Sequence, residues 1–282
     1  MQYLLLLVVI LMLGLQGLAQ KQYDVMSKTP NVFLFSAVTA SAALLFFVVG
    51  NGFRLHLSGD FLPYAIAFGL AYGTCTVASF YTIVWGSMSI SNLVTSYSLI
   101  IPTFYGLIAL DESLSAFGMV GLAALFLSIF LINDRKEDVK FSVKWLIALA
   151  VAFIGNGLCS TVQKMQQTAC AGAYKNDFMI TALMIVVVTF VVMALLRRER
   201  LREGLAVCAG LGALKGVANG IVNLLVMVLT GSLPNAILFP SISAGGIVIG
   251  FLIAVGIYKE RLTRRQLLGY AIGTVSVVLL NL

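Results

Sequence analysis

The sequence predicts an all-α polytopic membrane protein with ten transmembrane helices, arranged as two inverted five-helix repeats. Three observations predict this fold: apolar stretches along the whole chain, basic residues concentrated in alternate links, and short motifs that recur at a nearly constant offset. Of the 282 residues, 60% are hydrophobic and 10% are charged, whereas soluble domains are about 45–50% apolar and about 25% charged. The apolar runs are continuous, which excludes a transmembrane barrel with its alternating segments of about ten residues.

Each predicted span is an apolar run of about 20 residues, the length that crosses the hydrocarbon core as a helix. Polar residues, glycines and prolines separate the runs, as in "WGSMS" at 85–89 and "TGSLPN" at 230–235. In chain order the spans are 2–22, 31–50, 61–84, 89–109, 114–132, 142–166, 177–196, 204–229, 234–257 and 265–281.

The first span resembles a secretory signal, because "GLAQ" at 17–20 is similar to a cleavage site. A signal peptide, however, begins with a basic region. Since "MQYLLLLVVILM" carries no positive charge, we interpret this segment as a helix that is retained.

Basic residues lie mainly in four alternate links. The link between spans one and two holds two of them and links 5–6, 7–8 and 9–10 hold four each, which is 14 of the 18 Lys and Arg residues. Cytoplasmic links carry the excess of positive charge in membrane proteins. We therefore expect a multi-pass protein of the cell membrane, with the bacterial inner membrane as the expected location and both termini outside.

Three pairs of short motifs indicate an internal repeat. "GLQGLAQK" at 14–21 matches "GLCSTVQK" at 157–164, "GSM" at 86–88 matches "GSL" at 231–233, and "ESLSAFGMVG" at 112–121 matches "ERLTRRQLLG" at 260–269. The offsets are 143, 145 and 148 residues, in order along the chain. We predict one repeat at 1–137 and another at 138–282. Five spans is an odd number, so the two halves are inverted, which is an architecture of many secondary transporters.

The two five-helix halves, each closing with a short acidic turn ("DESLS" and "KERLT") and a glycine-bearing last helix, resemble the EamA-type members of the drug/metabolite transporter superfamily. The resemblance covers the whole chain and implies transport of metabolites, amino acids or drugs. Two features depart from that family. The usual proline of the fourth span in each half is poorly matched by Pro102 and Pro240, and family members are often drawn with cytoplasmic termini.

Polar side chains form stripes within several predicted spans. In "LKGVANGIVNLLVM", Lys215, Asn219 and Asn223 have the i, i+4, i+8 spacing of one helix face. Beside this stripe, a Gly-x3-Gly-x3-Gly stripe allows close approach of another helix. The other candidate substrate-binding residues are Gln16, Gln20, Tyr72, Asn92, Tyr97, Asn156 and Gln163. We expect all ten to line a shared central cavity; the alternative is that they only bridge neighbouring helices.

Lys215 lies about ten residues or more from either end of its span, beyond easy reach of the interface by its side chain. A lysine at the centre of a span costs about 2.5–3.5 kcal/mol on insertion scales. Two interpretations follow: a substrate contact or charge switch, or a structural pair with a carbonyl or carboxylate, with a deprotonated amine as a further form. Lys164 and Lys21 are nearer to helix ends, where we expect them to reach the interface.

All 11 acidic residues lie in links or at span ends. Proton-driven exporters of cations need a carboxylate within the membrane that binds proton and drug alternately. We therefore predict a secondary transporter or facilitator that moves a small polar metabolite, whether neutral, zwitterionic or anionic, by alternating access. The alternative is a proton-coupled exporter of drugs or toxic cations. Glu112 and Glu260, at the same repeat position, are expected to stabilise the start of the last helix of each half.

The sequence predicts no enzyme, no catalytic residues, no metal site and no cofactor. It contains one histidine, four cysteines without CxxC spacing, and no GxxxxGK[ST] motif. A membrane enzyme is another class, which the single histidine and the lack of paired acids within the spans disfavour. A non-transporting scaffold or receptor is a third class, which the inverted repeat and the polar stripes disfavour. The expected partners are a small-molecule substrate and membrane lipid, without nucleic acid, in a monomer or homodimer.

Overall fold

The computed structural model describes residues 2–27, 31–85, 97–132, 142–199, 205–257, 259 and 263–280. Within these ranges the regular structure is helical and contains no strand. The α-helices are α1 Gln2–Met26, α2 Val32–Gly50, α3 Leu62–Trp85, α4 Ile100–Ala109, α5 Ala116–Ile132, α6 Val143–Ala169, α7 Lys175–Leu196, α8 Leu205–Thr230, α9 Asn235–Leu252 and α10 Arg264–Leu280. A 3₁₀ turn precedes α4, and a π-helical turn follows α9.

Seven of the described helices are long and apolar enough to cross a membrane, namely α1, α2, α3, α6, α7, α8 and α9. They coincide with predicted spans one, two, three, six, seven, eight and nine. The chain is therefore a multi-pass membrane protein by the length and composition of its helices. Helices α4 and α5 are shorter apolar helices, and residues 89–96 of the fourth predicted span lie outside the described residues.

The chain divides into two compact units. Unit one comprises Met1–Gly73 and Val162–Gly231, and unit two comprises Thr74–Thr161 and Ser232–Leu282. The boundaries between the units fall within α3, within α6 and in the link between α8 and α9. Each unit therefore combines segments from both predicted repeats. The predicted repeats are defined by sequence similarity, whereas the units are defined by packing. The division at 137/138 therefore stays a prediction.

In unit one, the glycine stripe of α8 packs against α2. A Cβ atom added at Gly212 would lie 2.8 Å from Val38 Cγ1, and one added at Gly220 would lie 2.6 Å from Phe46 Cδ1. Between them, Gly216 faces the carbonyl oxygen of Thr39. Only glycine leaves room for α2 at these positions, so the predicted close approach of a helix to this stripe is confirmed.

Helices α2 and α7 lie antiparallel in unit one, with a carboxylate at each end of the pair. The Glu199 carboxylate, just after α7, accepts the backbone N–H groups of Phe33 at 3.2 Å and Leu34 at 2.8 Å, in the first turn of α2. At the other end, buried Asp177 accepts the backbone N–H of His56 at 2.9 Å, from the link after α2. A carboxylate at the start of a helix satisfies N–H groups that have no partner within the helix.

In unit two, α5 and α10 form an antiparallel pair with reciprocal contacts. A Cβ added at Gly121 would lie 3.0 Å from the Leu280 nitrogen, and one added at Gly269 would lie 3.0 Å from the Ile132 nitrogen. Gly121 and Gly269 are separated by 148 residues, and so are Ile132 and Leu280. The same glycine-to-backbone contact therefore occurs twice, with the roles of the two helices exchanged. Ser128 adds a hydrogen bond across the pair to the Gly269 carbonyl oxygen, at 2.7 Å.

Glu112 stabilises the start of α9. Its Oε2 accepts the backbone N–H of Ala236 at 3.0 Å, in the first turn of α9, and the side chain lies over Gly106. A role at the start of α5, the next helix along the chain, stays a prediction. Tertiary packing brings the carboxylate to the N-terminus of α9, where a negative charge is favourable. Glu260 lies outside the described residues.

Candidate functional site

The polar stripe of α8 meets α1 within unit one. Lys215 Nζ donates a hydrogen bond to Gln20 Oε1 at 2.6 Å, and Asn219 Nδ2 donates to Gln16 Oε1 at 3.2 Å. Both pairs have the spacing of one helical turn, so they form two successive contacts along the antiparallel helices. Four of the ten predicted residues are thus in direct contact with one another.

The chain of amides continues from α8 to the part of α6 in unit one. Asn223 Nδ2 donates to the Asn219 carbonyl oxygen at 2.9 Å and to Asn219 Oδ1 at 3.0 Å. Asn223 Oδ1 in turn accepts from Gln163 Nε2 at 2.8 Å, and Gln163 is buried. An amide chain therefore runs from Gln163 through Asn223 and Asn219 to Gln16. It joins three helices and brings six predicted residues together when Lys215 and Gln20 are included.

Lys215 lies beside this chain against an aromatic pair. Its Nζ is 5.3 Å from the centroid of the Phe35 ring, within the range of a cation–π contact. Phe35 stacks on Tyr23 of α1 with ring centroids 4.0 Å apart. The structural interpretation of Lys215 is supported in part, because the amine has a protein partner in the Gln20 side chain. The same contacts hold a potential positive charge next to the amide chain.

The structure places the other predicted residues elsewhere. Tyr72 lies in unit one in an aromatic group, and the centroid of its ring is 5.9 Å from that of Phe68 and 6.5 Å from that of Phe190. In unit two, the Tyr97 hydroxyl donates to the Phe126 carbonyl oxygen at 2.9 Å, and Asn156 Nδ2 donates to Ser98 Oγ at 2.6 Å. Asn92 lies outside the described residues. Because these residues belong to different units, the single shared cavity stays a prediction.

Among the described residues, several buried side-chain polar atoms lack a hydrogen-bond partner, and three of their residues are not among the ten predicted ones. In unit one they are Gln16 Nε2, Thr39 Oγ1 and Gln167 Oε1; in unit two they are Asn235 Nδ2 and Oδ1. Thr39 is a polar residue within the small-residue run "SAVTASAA", a pattern that indicates close helix contact. Asn235 lies where the link 230–235 meets the predicted span 234–257, and its complete burial follows only from tertiary packing.

The cluster consists of amides and one amine. Throughout the described ranges, no group of three or more His, Cys, Asp or Glu residues is placed to hold a metal ion. The four cysteines are free thiols. Amide and amine groups on membrane-spanning helices can bind the oxygen and nitrogen atoms of a polar solute.

Comparisons with known proteins inform the fold alone. The chain matches no model of a protein family, and no curated protein matches it. A solved structure described as "Crystal structure of protein" is similar to it, with a TM-score of 0.77 and 14% sequence identity over 100% of this chain and 98% of that chain. The two chains therefore share a fold along their whole length. At this identity the likeness carries no information on activity.

Proposed function

We propose that the protein is a secondary transporter or facilitator of a small polar metabolite. The observation that supports this proposal is the amide chain of Gln163, Asn223, Asn219 and Gln16, with the Lys215–Gln20 pair beside it. An ionisable side chain such as that of Lys215 is costly within a membrane-spanning segment, and such residues mark substrate or ion pathways. The solute is neutral, zwitterionic or anionic, and it crosses by alternating access.

Ten spans in two inverted repeats belong to the same proposal, as in the EamA-type transporters that the sequence resembles. The reciprocal contacts of Gly121 and Gly269 support the inversion, because two inverted copies exchange roles across a local two-fold axis. In a ten-span chain, alternate links lie on the same side of the membrane. Four contacts within units join residues at links of the same side: Glu199 with Leu34, Asp177 with His56, Glu112 with Ala236, and Arg265 with the Phe130 carbonyl oxygen.

The proposed location is the cell membrane with both termini outside, on the evidence of the basic links. The protein would act as a monomer or homodimer in contact with membrane lipid. Because no acidic residue lies in the middle of a predicted span, a cationic drug is the less favoured cargo. The driving force would be the substrate gradient or a coupled ion, without a nucleotide.

Transport by purified protein in liposomes tests the proposal. Labelled amino acids, small organic acids and quaternary cations are offered to wild type, to Lys215→Met and to Lys144→Met, which changes an exposed lysine at the start of α6. We expect saturable uptake of a polar metabolite by wild type. Loss of a charged hydrogen-bonding group costs about 1.5–3 kcal/mol, so Lys215→Met should reduce uptake by about 10- to 100-fold, with Lys144→Met within about twofold.

Two results would contradict the proposal. Flux no greater than that of empty liposomes for every solute means that the protein does not transport these classes. Uptake of quaternary cations alone, at the same rate in Lys215→Met, replaces the metabolite transporter with the drug exporter.

A further inference from the structure

The amide chain in unit one ends on a donor that has no partner. Gln16 Nε2 is buried and makes no hydrogen bond to any residue that the structure describes, whereas Gln16 Oε1 accepts from Asn219 at 3.2 Å. A buried donor without an acceptor destabilises the folded state. Such an atom on a membrane-spanning helix is a position where an acceptor from outside the protein would gain binding energy.

The orientation of every amide in this chain is determined by one backbone carbonyl group. The Asn219 carbonyl oxygen can only accept, so the atom of Asn223 that contacts it at 2.9 Å must be the nitrogen. That nitrogen also contacts the Asn219 side chain at 3.0 Å, which must therefore present its oxygen. The Asn219 side-chain nitrogen then donates to Gln16, and the Gln16 side-chain oxygen accepts. The group left over at the end of the chain is the Gln16 NH₂, a donor.

We propose, on the basis of the proposed function, that Gln16 Nε2 binds a carboxylate oxygen of the transported solute. Lys215 lies one helical turn along the same pair of helices, held by Gln20 at 2.6 Å. In its protonated form the Lys215 amine makes the local potential positive, which favours an anionic acceptor over a neutral carbonyl or hydroxyl. The site therefore selects solutes that carry a carboxylate, amino acids among them.

One amide donor next to one ammonium suits a single negative charge. Phosphate groups carry more charge and are typically bound by arginine or by several donors at once. Every arginine of this chain lies in a link or at the end of a span, so none belongs to the middle of a span. Phosphorylated solutes are therefore excluded from this substrate class.

The decisive variant is Gln16→Glu. It keeps an oxygen for Asn219, so the amide chain stays intact, and it replaces the unpaired donor with a negative charge. The matched control is Gln22→Glu, the same substitution at an exposed position of α1. Gln16→Met, which removes the donor without adding charge and also removes the oxygen that accepts from Asn219, provides a second test if the glutamate variant does not fold.

Two measurements are made on each purified protein. One is uptake into liposomes of the 20 amino acids and of monocarboxylates with two to six carbons, beside their neutral amides and glycerol 3-phosphate. The other is the shift in Tm that the same compounds cause in detergent, because a ligand that binds the folded state raises Tm. We expect carboxylates to be taken up and to raise Tm in wild type and Gln22→Glu. In Gln16→Glu we expect at least a tenfold loss of uptake and no shift in Tm.

The outcomes separate this inference from the proposed function. Two outcomes overturn the inference and leave transport in place. One is uptake of neutral amides or glycerol 3-phosphate in place of carboxylates. The other is carboxylate uptake by Gln16→Glu within about threefold of wild type. A Tm shift by carboxylates that Gln16→Glu abolishes, without flux of any solute, supports the site and overturns transport. Neither flux nor a Tm shift in wild type overturns both.

Discussion

Gly121 and Gly269 make the same contact from opposite directions of one antiparallel helix pair. Each glycine leaves room for the backbone nitrogen of a residue on the other helix, Leu280 for Gly121 and Ile132 for Gly269, and a Cβ would lie 3.0 Å from that nitrogen in both cases. The glycines belong to the matched motifs "ESLSAFGMVG" and "ERLTRRQLLG". A motif that is weak in sequence is thus associated with a specific packing contact in unit two.

Gly121→Ala and Gly269→Ala should both lower stability, and by similar amounts. Overpacking at a backbone contact typically costs about 1–3 kcal/mol, whereas alanine in an open helical position is favoured over glycine by about 0.5–1 kcal/mol. Gly246→Ala in α9 is the control, because nothing lies within 4 Å of its added Cβ. The measurement is Tm in detergent. Equal or higher Tm in the two variants would mean that α5 and α10 separate without cost at this contact.

Glu199→Gln should weaken the start of α2. The carboxylate accepts two backbone N–H groups, at 3.2 and 2.8 Å, and bonds to a charged acceptor contribute about 1.5–3 kcal/mol, against about 0.5–1.5 kcal/mol for a neutral one. We expect a loss of about 1 kcal/mol and faster hydrogen–deuterium exchange in the first turn of α2. Asp111→Asn is the control, since it removes a charge at an exposed position with positive φ that asparagine also adopts. Unchanged hydrogen–deuterium exchange in Glu199→Gln would show that the carboxylate does not stabilise the start of α2.

Gln163 and Asn223 should show a measurable coupling energy. Their side-chain amides are 2.8 Å apart, and hydrogen bonds between membrane helices average about 0.6 kcal/mol, with values up to about 1.7 kcal/mol. The double-mutant cycle uses Gln163→Ala, Asn223→Ala and the combination, with unfolding in mixed micelles as the readout. The comparison cycle pairs Gln163→Ala with Lys144→Ala, at the start of α6. A coupling energy near zero in the first cycle would show that α6 and α8 gain nothing from this bond.

The periodic features of single helices were predictable from the sequence. Apolar runs of sufficient length indicate where spans occur, and the i, i+4, i+8 spacing places Lys215, Asn219 and Asn223 on one face, because helical geometry is local. The glycine stripe of α8 also indicated a close neighbour. For each of these features, the residues that carry the signal lie within one helix.

The partners of those residues depended on tertiary structure. Lys215 binds Gln20, which is 195 residues away in the chain, and Glu112 contacts Ala236 at the start of α9, 124 residues away. Nothing in a single helix specifies which neighbour it meets, at what depth, or in which direction. The sequence by itself determined a multi-pass helical membrane protein with polar stripes. Packing decided which stripes meet, because contacts between helices depend on how distant segments are brought together and not on local spacing.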